Sequence, residues 1–151
     1  MSPRRLHRGV AVAESLTWAL LLLGMVLKYL TRTTDVVVSI GGGLHGFVFL
    51  TYLVTTVLVA VDGRWRAGTT LLGLGSAVLP FASIPFERWA RRRDLVGERW
   101  RLPASPPGGP LERLVGALLA RPLVSAAVTL VVLAVVFAVL LALGPPTRWF
   151  S

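Results

Sequence analysis

Four ionisable side chains interrupt or border long apolar stretches of this chain: Glu14, Lys28, His45 and Glu87. An ionisable group in hydrocarbon is costly, so each is a candidate for handling a proton, an ion or a substrate. Glu14 has two readings. About one turn inside a helix, it complements the positive end of the macrodipole and could pair with Arg64 or Arg66. As an intramembrane acid, it could instead bind a proton or a cation. Lys28 carries a stem long enough to reach the headgroups from a helix end. If successive apolar blocks run antiparallel, Lys28, His45 and Glu87 approach the same face of the membrane, and a buried polar cluster of these three is the expected site.

Other chemistry finds less support. His7 and His45 are the only histidines and there is no cysteine, so thiolate metal sites, iron–sulfur clusters, disulfides and thiol nucleophiles are excluded. With His7 placed before the first helix and His45 on the opposite side of the bilayer, the two cannot share one metal. No HExxH or other ligand-rich spacing occurs, so neither a metal nor a cofactor is expected. Ser15, Ser39, Ser76, Ser83 and Ser125 stand without a GxSxG elbow or an evident base. Gly41-Gly42-Gly43 lacks the lysine of a phosphate loop. An enzyme is not expected.

The elements that must position these residues are helices. Apolar blocks run from about Val10 to Leu30, Ile40 to Val61, Thr69 to Phe86 and Leu123 to Leu143. A helix needs roughly 20 residues to cover a hydrocarbon core of about 30 Å. Three blocks meet that length, and the third, holding Pro80 and Pro85, is expected to be kinked or partly inserted. The expected fold is an all-α polytopic membrane bundle, a three-helix core plus a C-terminal fourth transmembrane helix. Its divisions are a basic tail at 1–9, the core at 10–95, a Pro/Gly/Arg-rich loop at 96–122, the fourth helix at 123–144 and a tail at 145–151. Within Glu87 to Arg101, a helical reading puts Trp89, Val96 and Trp100 on one interfacial side. Small residues mark expected packing faces: Gly42 and Gly46 on the second helix, Gly73 and Ala77 on the third, and Ala134, Ala138 and Ala142 on the fourth. His45, Phe49, Tyr52 and Thr56 form a stripe on the second.

Composition agrees. Of 151 residues, 54% are hydrophobic and only 15% charged, where a soluble domain carries about a quarter charged. The net charge of +9 sits in arginines flanking apolar segments, a pattern that anchors helices against anionic headgroups rather than nucleic acid. Arginine outnumbers lysine fifteen to one, which suggests a GC-rich bacterial genome. With four spans, six basic residues share a side with both termini and ten lie on the other. The positive-inside rule then places the loop at 87–122 in the cytoplasm and both termini outside.

The first three blocks resemble a family of small bacterial membrane proteins, common in actinobacteria, known as domain-of-unknown-function family 3817. The resemblance rests on Ala13-Glu14-Ser15, Leu27-Lys28-Tyr29, His45-Gly46 with Phe49 and Tyr52, Pro80-Phe81 and Phe86-Glu87-Arg88, over roughly residues 8–95. It implies a three-helix core without a known activity, and it does not extend to the fourth helix. The function expected is a non-catalytic membrane subunit or assembly factor of the bacterial plasma membrane, associating with lipid and with other membrane proteins or itself. The alternative is a small oligomeric transporter or ion conductor using Glu14, Lys28 and His45.

Overall fold

The computed structural model describes residues 1–143, which are all-helical. Helix α1, Pro3–Met25, continues as a π-helical turn, Val26–Leu30; α2 is Val36–Asp62, α3 Ala67–Ser76, α4 Ser83–Arg92, α5 Pro110–Ala120 and α6 Pro122–Leu143. The tail expected at 145–151, with Arg148, lies outside the described residues, as does the final position of the expected fourth span.

The N-terminal segment at 1–9 is not a tail. Ser2 caps α1, its hydroxyl accepting the Arg5 N–H at 3.3 Å, and Pro3 opens the helix, where its missing N–H leaves nothing unpaired. Helix α1 with its π turn (Pro3–Leu30) and α2 are each long and apolar enough to cross a membrane. They pack antiparallel along most of their length and approach tightly at Gly24, where a side-chain carbon would stand 2.6 Å from the Val38 backbone.

The third apolar block departs from the expected third span. It breaks at residues 77–82 into two ten-residue helices, α3 and α4. Pro80 lacks an N–H and disfavours helix at the residue before it, and Phe81 takes a positive φ of 65° to reverse the chain. Pro85 falls in the first turn of α4, where no intrahelical donor is required. Helix α3 runs back along α2, with Gly73 against Thr56 and Ser76 against Tyr52. Helix α4 then runs back along α1, from Ser83 beside Ser15 to Glu87 beside Arg8 and Ala11. The hairpin therefore enters and leaves at the same end of the bundle. Each arm is about 15 Å long, half of a hydrocarbon core.

The segment from Glu87 to Arg101 is not one helix. It ends at Arg92, and Asp94 has a φ of 54°. Trp89, Val96 and Trp100 nevertheless converge, packing with Val59 and Ala90. The chain expected to be a loop at 96–122 contains α5. Ion pairs and backbone bonds hold this stretch over the bundle end. Arg4 donates to the Val96 carbonyl at 2.8 Å and pairs with Asp94 and Glu98. The Asp62 carboxylate accepts the N–H groups of Arg101 and Leu102 at 2.9 Å each.

Helix α6 lies on α2 through Phe137, which meets Gly46 and sits 6.4 Å from the Phe47 ring. Gly42 faces Leu21 of α1 instead, and Gly73 and Ala77 are buried within the hairpin, Gly73 between Phe86 of α4 and Thr56 of α2. Ala134, Ala138 and Ala142 are exposed, so the expected packing stripe on the last helix faces away from the bundle. The contact is made by Phe137 because the glycine face of α2 accepts a large ring. Across the fold, large apolar side chains such as Leu16, Leu72 and Val131 are more than half exposed while His7, Glu14, Asp62 and Glu87 are buried. That inversion suits a lipid solvent.

Two glycines of α1 test the packing. Gly24→Ala forces α1 and α2 apart and is expected to cost about 1–3 kcal/mol, read as a lowered unfolding midpoint in micelles. Gly9, with nothing within 4 Å of its missing side chain, should gain about 0.5–1 kcal/mol as Gly9→Ala. Equal midpoints for the two variants would contradict the described crossing.

Candidate functional site

The polar residues that meet inside the bundle come from the faces on which the hairpin closes. Starting α1 at Pro3 puts His7, Ala11, Glu14 and Ser15 on one helical face, and all four are buried. Ser83, first residue of α4, bridges that face. Its hydroxyl bonds the Glu14 carboxyl, lies 3.1 Å from the Ser15 hydroxyl and 3.1 Å from the Ala11 carbonyl. On the other side of the hairpin, the Tyr52 hydroxyl donates to Ser76 at 2.9 Å, and Ser76 donates to the Gly73 carbonyl at 2.7 Å. The Trp18 indole donates to the Ala77 carbonyl at 3.2 Å, satisfying a backbone group that the helix break would leave unpaired.

Above this layer, His7 is fully buried among aromatic rings. It stacks on Tyr52 at 5.8 Å and meets the edges of Trp65 and Phe86 at 6.1 and 6.2 Å. Both of its ring nitrogens, Glu14 Oε1 and Thr56 Oγ1 have no hydrogen-bond partner among the described residues. Such atoms mark places where a water molecule or proton completes a network. The site is a buried polar layer.

The cluster expected of Lys28, His45 and Glu87 does not assemble. Because the third block turns back, Glu87 reaches the end of the bundle opposite Lys28. It is nearly buried beside Ala11, with Arg91 at 3.8 Å. Lys28, 17 residues further along the helix from Ala11, is about 25 Å away; its ammonium lies 5.5 Å from the Tyr29 ring. His45 stands between these levels, its Nδ1 3.1 Å from the Thr17 hydroxyl and its ring 4.4 Å from Trp18. Glu14 is buried, and its partner is Ser83 and not Arg64 or Arg66. Arg64 instead pairs with Glu112 at 2.9 Å.

Sequence reasoning missed His7, Ser83 and the Tyr52–Ser76 pair. The signal for His7 was Ser2-Pro3, a helix start that extends the first helix outward far enough to include it. No local signal marks Ser83, because its role depends on the hairpin reversing. The cap was also missed. Arg64 is the main group holding the Glu112 carboxyl down at about 2, helped by the Gly108 N–H and by Arg101.

Residues 4–92 match a family described as Domain of unknown function (DUF3817). A protein of Streptomyces coelicolor named "Putative membrane protein" is 46% identical over 104 residues, covering 68% of this chain and 12% of that protein. The chain thus corresponds to a small part of that relative's length. No solved structure matches.

Ser83→Ala removes the shared partner of Glu14, Ser15 and the Ala11 carbonyl. A loss of about 1–3 kcal/mol is expected, measured by denaturant titration in micelles, and an unchanged midpoint would show that the bridge carries nothing. The cap gives a pH signature. Glu112 has a lower pKa folded than its usual 4.5, so its contribution is full above that value and is lost as pH falls toward about 2. Glu112→Gln should melt earlier than the parent near neutral pH, with the gap closing as acid is added.

Proposed function

The chain belongs to the DUF3817 family, and on that premise we propose that it is a non-catalytic, multi-pass membrane module of the bacterial plasma membrane. It acts as a subunit or accessory factor beside, or joined to, a larger protein. The observation that carries this is the pairing of the interior: the polar groups between α1, α2 and the α3–α4 hairpin bond mainly to one another, with residues 93–109 held over the bundle end. The relative in Streptomyces coelicolor lends support, since the matching part is 12% of a much longer protein. In this topology α1, α2 and α6 cross the bilayer, and the hairpin enters from one side to half depth and returns. Of the basic residues described, all but Lys28 and Arg32 then fall at the end that holds the N-terminus. The positive-inside rule places that end, with the arginine-rich segment, in the cytoplasm.

The absence of cysteine makes topology directly testable. Gly97→Cys should react with a membrane-impermeant maleimide only in inside-out vesicles, and Thr33→Cys only in intact cells; the reverse pattern would overturn the orientation. Native mass spectrometry of protein extracted from its own membrane should recover it at a fixed ratio to a second protein. Recovery solely as a lone monomer would overturn the subunit role. Proton flux in liposomes abolished by Glu14→Gln would favour the conducting alternative instead.

A further inference from the structure

We propose that the cleft between α1 and α4 is a seat for one anionic phospholipid, its phosphate held by Arg8 and Arg88. This deepens the membrane-module reading and rests on it. The cleft opens at the basic end of the bundle, with Arg8 on one wall and Arg88 and Arg91 on the other. Among the described residues Glu87 is the one carboxylate lining it; it is 4% exposed and faces Arg91 at 3.8 Å. Arg91 therefore has a counter-charge, whereas the guanidiniums of Arg8 and Arg88 have no hydrogen-bond, ion-pair or ring partner among the described residues. Both are exposed. Two unpaired guanidiniums on facing helices are suited to a phosphodiester, whose oxygens accept forked N–H donors.

The floor of the cleft decides between a lipid and a soluble phosphate. It is made by Ala11, Val12 and Ile84, and it continues one turn deeper along α1 to Leu16, which is 65% exposed. Val12 and Leu16 lie four residues apart on the same face, about 6 Å in depth. An apolar gutter descending from a basic mouth along the flank that faces lipid fits an acyl chain below a headgroup. A free anion would leave that gutter uncovered. Arg8 and Arg88 also sit at the level where the hairpin re-emerges, so a lipid bound there braces α4 against α1.

The test uses the full chain in mixed micelles of phosphatidylglycerol and phosphatidylcholine, with retained lipid counted by native mass spectrometry. The parent protein should retain phosphatidylglycerol in preference. Arg8→Gln/Arg88→Gln should weaken that retention about thirtyfold, at about fivefold for each basic residue near an anionic headgroup. Arg92→Gln/Arg99→Gln, which removes the same charge outside the cleft, should retain lipid as the parent does. Matching melting midpoints will show that both double variants remain folded. Equal retention by all three proteins, equal loss in both variants, or displacement of the lipid by millimolar inorganic phosphate would overturn the seat. A chain that stayed in the supernatant without detergent would overturn the membrane reading itself, a failure distinct from these.

Discussion

A polar group buried inside a bundle has no solvent to fall back on, so a helical hairpin that turns within it must bring partners for its broken end. The contact of Ser83 with Glu14, Ser15 and the Ala11 carbonyl supplies them on one side. The Trp18 indole on the Ala77 carbonyl and the Tyr52–Ser76 pair supply them on the other. The remaining architecture follows from that docking. It sets the depth of the hairpin and fixes α4 antiparallel to α1. It also returns the arginines of α4 to the end from which the chain entered. A buried polar layer of this kind specifies one arrangement, because any slip of the hairpin along α1 would leave several groups unpaired at once.

The cap is a separate device built from charge at the bundle end. Arg4 reaches across to Val96, Asp94 and Glu98, Asp62 anchors the backbone at Arg101 and Leu102, and Glu112 gathers Arg64, Arg101 and the Gly108 N–H. Individually exposed pairs contribute little, and the value of these lies in their arrangement around irregular backbone. Trp65 donates to the Leu95 carbonyl at 2.7 Å, and Gly63 is required beneath it, since a side chain there would stand 2.7 Å from the same oxygen. Residues 93–109 are thereby held as a lid above His7 without helix or strand of their own.

Much of this was legible in advance. Block lengths and the scarcity of charge announced helices for lipid, and the resemblance carried by Ala13-Glu14-Ser15 and Phe86-Glu87-Arg88 agrees with the family match over residues 4–92. Pro80 and Pro85 announced trouble in the third block. Read as a kink, they still left a span; read as a reversal, they remove one. That single difference moved Glu87 to the other end of the bundle from Lys28 and dispersed the expected cluster. Ala134, Ala138 and Ala142 misled because small residues on a helix look alike whether they meet a neighbour or not.

What sequence alone determined was the solvent this protein is written for, because apolar length and charge placement act locally along the chain. It also determined where helices start and stop, since Ser2-Pro3 and the prolines act on their own backbone. Only the tertiary structure decided which polar residues meet. Whether Ser83 reaches Glu14, or Arg8 faces Arg88, depends on the direction in which the hairpin turns and on the rotation of each helix about its axis. Those are set by packing between segments distant in the chain, for which single-residue chemistry holds no record.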